Sequence, residues 1–186
     1  MPTEIERLEK ELMEAKKRLS DARRRRTPEP VENYPLTRSD GSATTLHDLF
    51  GEKDDLIVIH NMGRSCPYCT LWADGLVGLD DHLSNRAGFV VCTPDPPEVQ
   101  LEFAASRDWP FEMVSGTGGE FIKDMGFMPE GKAWPGVSAF HRNDDGTVVR
   151  TGKAIFGPGD DFCALWHLLD LLPGGPKGWE PKYKYE

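Results

Sequence analysis

A short apolar run followed closely by a pair of cysteines is the feature that most constrains this chain. Leu56-Ile57-Val58-Ile59-His60 is almost entirely apolar and β-branched, which is typical of a strand buried on both faces of a sheet. After five further residues comes Cys66-Pro67-Tyr68-Cys69, and the apolar periodicity of residues 71–83 then predicts a helix despite two glycines. We therefore expect a strand, a turn and a helix that carries two thiols at its amino terminus.

Two thiols at a helix start can carry out disulfide exchange. Unpaired N–H groups and the helix dipole stabilise a thiolate there, so the first thiol of such motifs titrates at about 3.5 to 7.5 instead of about 8.5. Cys66 would attack a disulfide, and Cys69, one turn on, would resolve the mixed disulfide and release the reduced substrate. The reaction needs no cofactor. Arg64 would further stabilise the thiolate, or it is a solvated arginine without a role.

Zinc binding and simple burial are the alternatives for the cysteine pair. The two cysteines and His82 have the spacing of the first three ligands of a zinc site, but no second histidine follows within about three to five residues. The polar, turn-forming residues 61–65 argue against burial of both thiols. We therefore expect no metal at this site. Cys92 and Cys163 are isolated and are expected in the core.

Composition indicates one globular domain with an appendage. The 186 residues are 38% apolar and 28% charged, and no apolar run approaches the roughly 18 residues that a membrane helix needs. A formal net charge of −9 disfavours generic binding to phosphate backbones. The first residues have neither the basic nor the apolar region of a secretory signal, and four cysteines are too few for a disulfide scaffold. We expect a cytoplasmic protein that binds neither nucleic acid nor membrane.

The chain divides into three regions. Residues 1–30 form a charged amphipathic helix and a linker, residues 31–174 form the folded domain, and residues 175–186 form an aromatic and charged tail. The helix carries apolar residues at alternating spacings of three and four: Ile5, Leu8, Leu12, Ala15, Leu19 and Ala22. This stripe is expected to pack on the domain or to join two copies into a homodimer. The cluster Arg23 to Arg26 complements the helix dipole at its carboxyl end.

The folded domain alternates extended and helical segments, which indicates an α/β class. Strands are predicted at residues 34–37, 56–60, 89–93, 109–114, 137–141 and 147–156. Helical segments are predicted at residues 45–50, 71–83, 99–105, 120–125 and 160–172. The turn Asn143-Asp144-Asp145-Gly146 predicts a hairpin between the last two strands.

These elements in this order resemble the thioredoxin fold over residues 34–172. The strand, Cys-Pro-Tyr-Cys at a helix start, a second strand and a helix are followed by Trp134-Pro135-Gly136-Val137, a hairpin and a last helix. Cys-Pro-Tyr-Cys is similar to the motif of glutaredoxins, and Leu36–Gly41 with Leu46–Phe50 resembles the start of peroxiredoxins. The resemblance implies a three-layer α/β/α fold with a central mixed β-sheet, to which the amino-terminal amphipathic helix is added.

A narrower resemblance is to the thioredoxin-like family named domain of unknown function 899. It is carried by the charged first helix with its arginine cluster, by residues 60–69, and by Trp166-His167-Leu168-Leu169-Asp170 near a Pro-Gly terminus. It implies a dithiol–disulfide oxidoreductase and brings no known substrate.

The resemblance assigns roles by position. Cys66 resembles the nucleophile and Cys69 the resolving cysteine. His60 stands six residues before Cys66, where thioredoxins carry a buried carboxylate that transfers protons, and a neutral imidazole could do the same work. An ordinary histidine at a strand end is the alternative.

The same resemblance marks residues that would bind substrate. Pro135 resembles the cis-proline that faces the disulfide, and Trp134 before it would contact the substrate chain or else be a core aromatic. A tryptophan there would narrow the groove. The remaining candidates around the thiols are Pro67, Tyr68 and Arg64.

Three functions stay open on the sequence. The first is exchange with a disulfide-containing protein or a small thiol substrate, with recycling by a cellular thiol reductant. The second is a thiol peroxidase of peroxiredoxin type, although Ile59 and Gly63 occupy the proline and Thr/Ser positions of the peroxidatic pattern. The third is a redox-inert binding or scaffold protein that keeps the fold.

Overall fold

The computed structural model describes residues 2–185, which form a mixed sheet of eight strands and six α-helices. The strands are β1 (Glu29–Val31), β2 (Pro35–Arg38), β3 (Ala43–Thr45), β4 (Asp55–His60), β5 (Gly88–Thr93), β6 (Glu112–Ser115), β7 (Gly136–Arg142) and β8 (Val148–Ile155). The helices are α1 (Glu4–Arg24), α2 (Pro67–Leu76), α3 (Asp80–Arg86), α4 (Pro97–Ser106), α5 (Phe121–Asp124) and α6 (Ala164–Asp170). The α/β prediction is confirmed.

Strand β4 lies near the middle of the sheet, whose order is β1-β8-β7-β4-β5-β6-β2-β3. It pairs in parallel with β5 and antiparallel with β7, so His60 at its end lies opposite both Cys92 and Gly136. The carboxyl end of β4 and the start of β7 therefore share one edge of the sheet. Helix α2 follows from this edge, which brings the cysteine motif and Pro135 to the same end of the molecule.

Alternate side chains of β4 enter two separate cores, one on each face of the sheet. The core on the side of α5, called the α5 core, takes Leu56 and Val58 together with Phe121 and Phe127. The core on the side of α2, called the α2 core, takes Ile59 together with buried aromatic and apolar side chains of α2, β5 and α6 and of the segment before β6: Trp72, Ala73, Phe89, Val91, Trp109, Phe111 and Trp166. Helices on both faces make three layers.

The helix predicted at residues 71–83 is two helices in the structure. It begins earlier, at Pro67, because a proline fits the first helical position and Cys66 caps it. A 3-10 turn, Val77–Leu79, then separates α2 from α3, at the second of the two glycines.

The last helix is shorter than predicted. Residues 160–163 form a turn in which the Asp160 carboxylate accepts hydrogen bonds from the backbone N–H groups of Phe162 (2.9 Å) and Cys163 (3.1 Å). Helix α6 therefore begins at Ala164. The indole N–H of Trp72 also donates to this carboxylate, at 3.4 Å, which ties the turn to α2.

The short edge strands β1 and β3 were not predicted. β1 pairs with β8 and includes two residues of the expected linker, Glu29 and Pro30. β3 pairs with β2 to form a hairpin at the opposite edge. Three-residue strands carry too little alternation to be recognised from sequence alone.

The amino-terminal helix α1 is confirmed over Glu4–Arg24, capped by Thr3. None of its residues is buried, and its apolar stripe stays exposed. One link to the domain is the ion pair between Lys16 and Asp161, at 2.7 Å. No helix within residues 2–185 combines the length and apolarity needed to cross a membrane.

Candidate active site

Cys66 caps the amino terminus of helix α2. Its backbone is extended (φ −106°, ψ 104°), and its sulfur accepts a hydrogen bond from the backbone N–H of Cys69 at 3.1 Å. The hydroxyl of Thr70 donates to the Cys66 carbonyl at 3.1 Å. The sulfur therefore occupies the position of an N-cap acceptor, where the free N–H groups of a helix start favour a negative charge.

These contacts change the acidity of Cys66. The pKa of the thiol is lowered from 9.0 to about 7, first by a hydrogen bond from the Cys69 side chain, against the effect of burial, and further by the N–H groups of Cys69 and Tyr68. This shift brings the pKa of the Cys66 thiol close to neutral pH. Cys66 is half-buried, while the three other cysteines, all within the described residues, are buried.

The acidity of Cys69 is changed in the opposite direction. Its pKa is raised by the hydrogen bond with Cys66, by burial and by the negative charge of Cys66. Cys69 is 2% exposed, and its sulfur accepts a hydrogen bond from the N–H of Met62 at 3.4 Å. The motif thus combines a half-buried thiol of lowered pKa with a buried thiol that stays protonated. Cys92 and Cys163 are buried as expected, and burial raises the pKa of Cys92 to about 12.

The loop between β4 and α2 is held by two residues that the sequence analysis did not single out. The Asn61 amide accepts from the N–H of Gly63 at 2.8 Å and donates to the Cys69 carbonyl at 3.4 Å. The Asp95 carboxylate accepts from the N–H of Arg64 at 2.7 Å. Asp95 follows β5, which is the parallel neighbour of β4. Because parallel strands end at the same edge of a sheet, this position after β5 is the sequence signal that could have identified Asp95.

Gly63 explains how closely this loop packs. Its φ is +96°, and a Cβ at this position would lie 2.6 to 2.8 Å from the Asp95 carboxyl group. Only glycine accepts both the backbone conformation and the contact without strain. Gly63 therefore sets the path of the chain into the cysteine motif.

The structure does not bring His60 to the thiols. The alternation of β4 points its imidazole into the α5 core, where it stacks on Phe127, whereas α2 packs on the other face of the sheet. Its hydrogen bond is with the Ser138 hydroxyl, at 3.0 Å. Burial, assisted by the charges of Arg150 and Lys153, lowers its pKa from 6.5 to about 3. The imidazole is neutral at physiological pH, and a role in proton transfer stays a prediction.

Pro135 lies next to Gly136, at the sheet edge where β4 ends. Residues 2–185 contain no cis peptide bond, so Pro135 is trans here, unlike the proline that it resembles, and its role in binding substrate stays a prediction. The Pro135 carbonyl is used by the hairpin, since it accepts from the N–H of Phe156 at 3.0 Å. Trp134 is 49% exposed, which excludes the alternative of a core aromatic and leaves its ring open to a ligand.

The other predicted substrate-binding residues are neighbours of Cys66 in sequence. Pro67 and Tyr68 are half-buried in the first turn of α2, and the Tyr68 ring stacks 6.2 Å from that of Trp166. Arg64 is exposed and is fixed through its backbone N–H. Residues 2–185 hold no group of three or more His, Cys, Asp or Glu side chains placed to bind a metal ion.

Comparison with known proteins identifies the family. A family model described as "Bacterial protein of unknown function (DUF899)" matches residues 4–185. The chain belongs to the DUF899 family. Among curated proteins, no significant match to the DUF899 protein was found.

Solved structures of peroxiredoxins share the fold. Peroxidoxin BcpB from Mycobacterium tuberculosis is 22% identical with a TM-score of 0.57, over 74% of this chain and 89% of that one. A mutant of PrxQ from Xylella fastidiosa is 14% identical with a TM-score of 0.57, over 71% and 89%. A peroxiredoxin-like protein from Aquifex aeolicus is 14% identical with a TM-score of 0.54, over 70% and 75%. The DUF899 protein therefore has the thioredoxin-like fold of these proteins.

Proposed function

We propose that this DUF899 protein is a thioredoxin-like dithiol–disulfide oxidoreductase of the cytoplasm. The observation that carries the proposal is the opposite acidity of two thiols within one helical turn. The Cys66 sulfur accepts a hydrogen bond from the Cys69 N–H at 3.1 Å, and the pKa of Cys66 is lowered while that of Cys69 is raised. A nucleophile whose pKa is close to neutral pH, beside a thiol that stays protonated, is the arrangement that two-step exchange requires.

The reaction follows from this arrangement. The Cys66 thiolate attacks one sulfur of a substrate disulfide, so a Cys66–substrate bond forms, the substrate S–S bond breaks and one substrate thiolate leaves. This leaving thiolate, or solvent, takes the proton of Cys69. The Cys69 thiolate then attacks the Cys66 sulfur and expels the second substrate thiolate. Two electrons pass to the substrate, and the Cys66–Cys69 disulfide is reduced again by a cellular thiol.

The surrounding residues supply binding and orientation. The exposed Trp134 and the half-buried Pro67 and Tyr68 offer apolar surface to a disulfide, and Pro135 lies at the same sheet edge. The exposed Arg64 adds a positive charge next to the motif. The chemistry draws on no cofactor or metal, because each step is an exchange between sulfur atoms.

Trapping of the intermediate tests this function. Cys69→Ser is expected to accumulate a mixed disulfide between Cys66 and its substrate, since the second step is blocked, while Cys66→Ser is expected to form none. Titration of the wild-type pair in glutathione and dithiothreitol buffers is expected to give a potential between about −270 and −120 mV, the range of exchange catalysts. If no reversible disulfide forms, the proposal fails and a redox-inert binding protein takes its place.

Peroxide reduction is the second candidate, and the half-exposed, acidic Cys66 favours it. The thiolate would attack the O–O bond and become a sulfenic acid while water or an alcohol leaves; Cys69 would then condense with it, releasing water and forming the disulfide. Against it, Ile59 and Gly63 replace the residues of the peroxidatic pattern. Consumption of hydrogen peroxide that depends on Cys66 and exceeds disulfide exchange in rate would favour this candidate.

A further inference from the structure

The last ten described residues, 176–185, pack against Trp166 of α6 and Phe103 of α4. They follow α6 through a glycine-rich turn, in which the Trp179 N–H donates to the Pro176 carbonyl at 2.8 Å. The segment has no regular secondary structure, yet Pro181 within it is buried. We call it the tail, and three contacts determine where it lies.

The first contact anchors the tail next to the motif. The Trp179 ring packs edge-on against Trp166, with the ring centres 6.3 Å apart. Trp166 in turn stacks on Tyr68, the third residue of Cys-Pro-Tyr-Cys. Trp179 also joins the α2 core. The tail is therefore one aromatic ring away from the first turn of α2.

The second and third contacts anchor the tail on α4. The Arg107 guanidinium donates to the Tyr183 carbonyl at 2.7 Å, and the Tyr183 ring packs edge-on against Phe103 with ring centres 6.3 Å apart. Arg107 is held by an ion pair with Asp74, which lies on α2 five residues after Cys69. Both ends of the tail are thus connected to α2.

The thiols also affect the acidity of Tyr183. Its pKa is raised, first by burial and then by the negative charges that Cys66 and Cys69 carry when ionised. Charges influence a partly exposed group only over short distances, since water and salt screen them. The effect is secondary to the packing of Trp179 on Trp166 and of Tyr183 on Phe103, which fixes the course of the tail.

We propose that the tail restricts the dithiol to small-molecule disulfides, with Tyr183 as the residue that limits access. A protein disulfide is embedded in a chain that must lie along the surface on both sides of the attacked sulfur, and the tail runs from Trp166, the ring stacked on Tyr68, to Phe103 of α4. A low-molecular-weight disulfide needs only the opening at the half-buried Cys66. This inference rests on the proposed function for its chemistry, whereas the steric shield can be measured separately.

Alkylation of Cys66 by two maleimides of different size tests the shield. N-ethylmaleimide and a poly(ethylene glycol) maleimide share one reactive group, so the ratio of their rates reports steric access and cancels changes in thiol acidity. Cys66→Ser supplies the background from the buried cysteines. In Tyr183→Ala the alkylation rate of the small reagent divided by that of the large reagent is expected to fall by about tenfold. This change is equivalent to about 1.4 kcal/mol in the activation barrier.

The matched control is Tyr183→Phe, which keeps the ring on Phe103 and is expected to keep the wild-type ratio. A chain ending at residue 175 is the second variant and is expected to show at least the same fall as Tyr183→Ala. Tyr183 is 38% exposed, so its substitution is compatible with folding even where the shorter chain unfolds. A ratio unchanged in the folded Tyr183→Ala protein overturns the shield.

Turnover then tests the substrate class. The wild-type protein is expected to reduce hydroxyethyl disulfide but to reduce insulin slowly, and Tyr183→Ala is expected to reduce insulin about tenfold faster. Equal insulin rates in the two proteins overturn the inference. Wild-type protein inert towards both disulfides overturns the proposed function and the substrate class with it, even where the maleimide ratio shows the shield.

Discussion

The imidazole of His60 lies parallel to the ring of Phe127, with the ring centres 3.8 Å apart. The stack is in the α5 core, and His60 is 1% exposed. A histidine in such a place is held neutral, because burial disfavours a positive charge there and Arg150 and Lys153 oppose it. The role that the structure supports for His60 is therefore packing, with a consequence for acid stability.

We predict that His60 makes the protein sensitive to acid. The pKa is 6.5 in the unfolded chain and about 3 in the folded protein, so below pH 6.5 the unfolded state binds a proton that the folded state does not. Stability is then lost as the pH falls from 6.5 towards 3, at up to about 1.4 kcal/mol per pH unit. The free energy of unfolding, measured with urea at several pH values, should have a shallower slope against pH for His60→Gln than for wild type. Identical slopes would contradict the prediction.

A second prediction concerns the acidity of Cys66. The largest cause of its lowered pKa is the hydrogen bond from the Cys69 side chain, so Cys69→Ala should raise the pKa of Cys66. The N–H groups of Cys69 and Tyr68 remain, which should keep the pKa below 9.0. The pH dependence of alkylation by iodoacetamide measures it. Cys163→Ala, which removes a thiol distant in sequence from the motif, serves as the control and should keep the midpoint at about 7.

The third prediction compares two glycines on either side of the motif. Gly63→Ala should destabilise the protein by at least about 1 kcal/mol and slow disulfide exchange, because the new Cβ meets the Asp95 carboxylate at a positive φ. Gly75→Ala, in open space within α2, should stabilise it by about 0.5 to 1 kcal/mol. Thermal unfolding and exchange assays measure both. Equal effects of the two substitutions would show that the loop does not need Gly63.

The fourth prediction concerns self-association, for which we propose that α1 joins two copies of the chain. Its stripe is not buried on the domain, and Ile5, Leu8 and Leu12 are 68%, 49% and 54% exposed. A heptad-spaced apolar stripe in water is stabilised by a second helix. Sedimentation should give the mass of two chains for wild type and of one for Leu8→Glu/Leu12→Glu. The control Met13→Glu lies off the stripe.

A wild-type protein that sediments as one chain would remove this proposal, and so would a Leu8→Glu/Leu12→Glu protein that sediments like wild type. Because no residue of α1 is buried, these substitutions test association with little effect on the domain core.

Local patterns in the sequence were sufficient for the centre of the molecule. The apolar run ending at His60, the thiols at a helix start and the turn Asn143–Gly146 were each predicted from a few neighbouring residues, and each is confirmed in the structure. Such features depend on short-range interactions: burial periodicity, helix capping and turn geometry. The extent of helix α6 was not predictable in the same way, since the Asp160 side chain competes for the backbone N–H groups of its first turn.

The sequence by itself determined that two thiols lie at a helix amino terminus, and the groups that lower the pKa of Cys66 are within three residues of it. Only the tertiary structure decided what surrounds that thiol. It joined Asp95 to the loop before Cys66, turned His60 towards the opposite core and packed Tyr183, from the far end of the chain, on Phe103 of α4. Those placements follow from strand pairing and from packing on two faces of one sheet, which join residues far apart in sequence and leave no local pattern to be read.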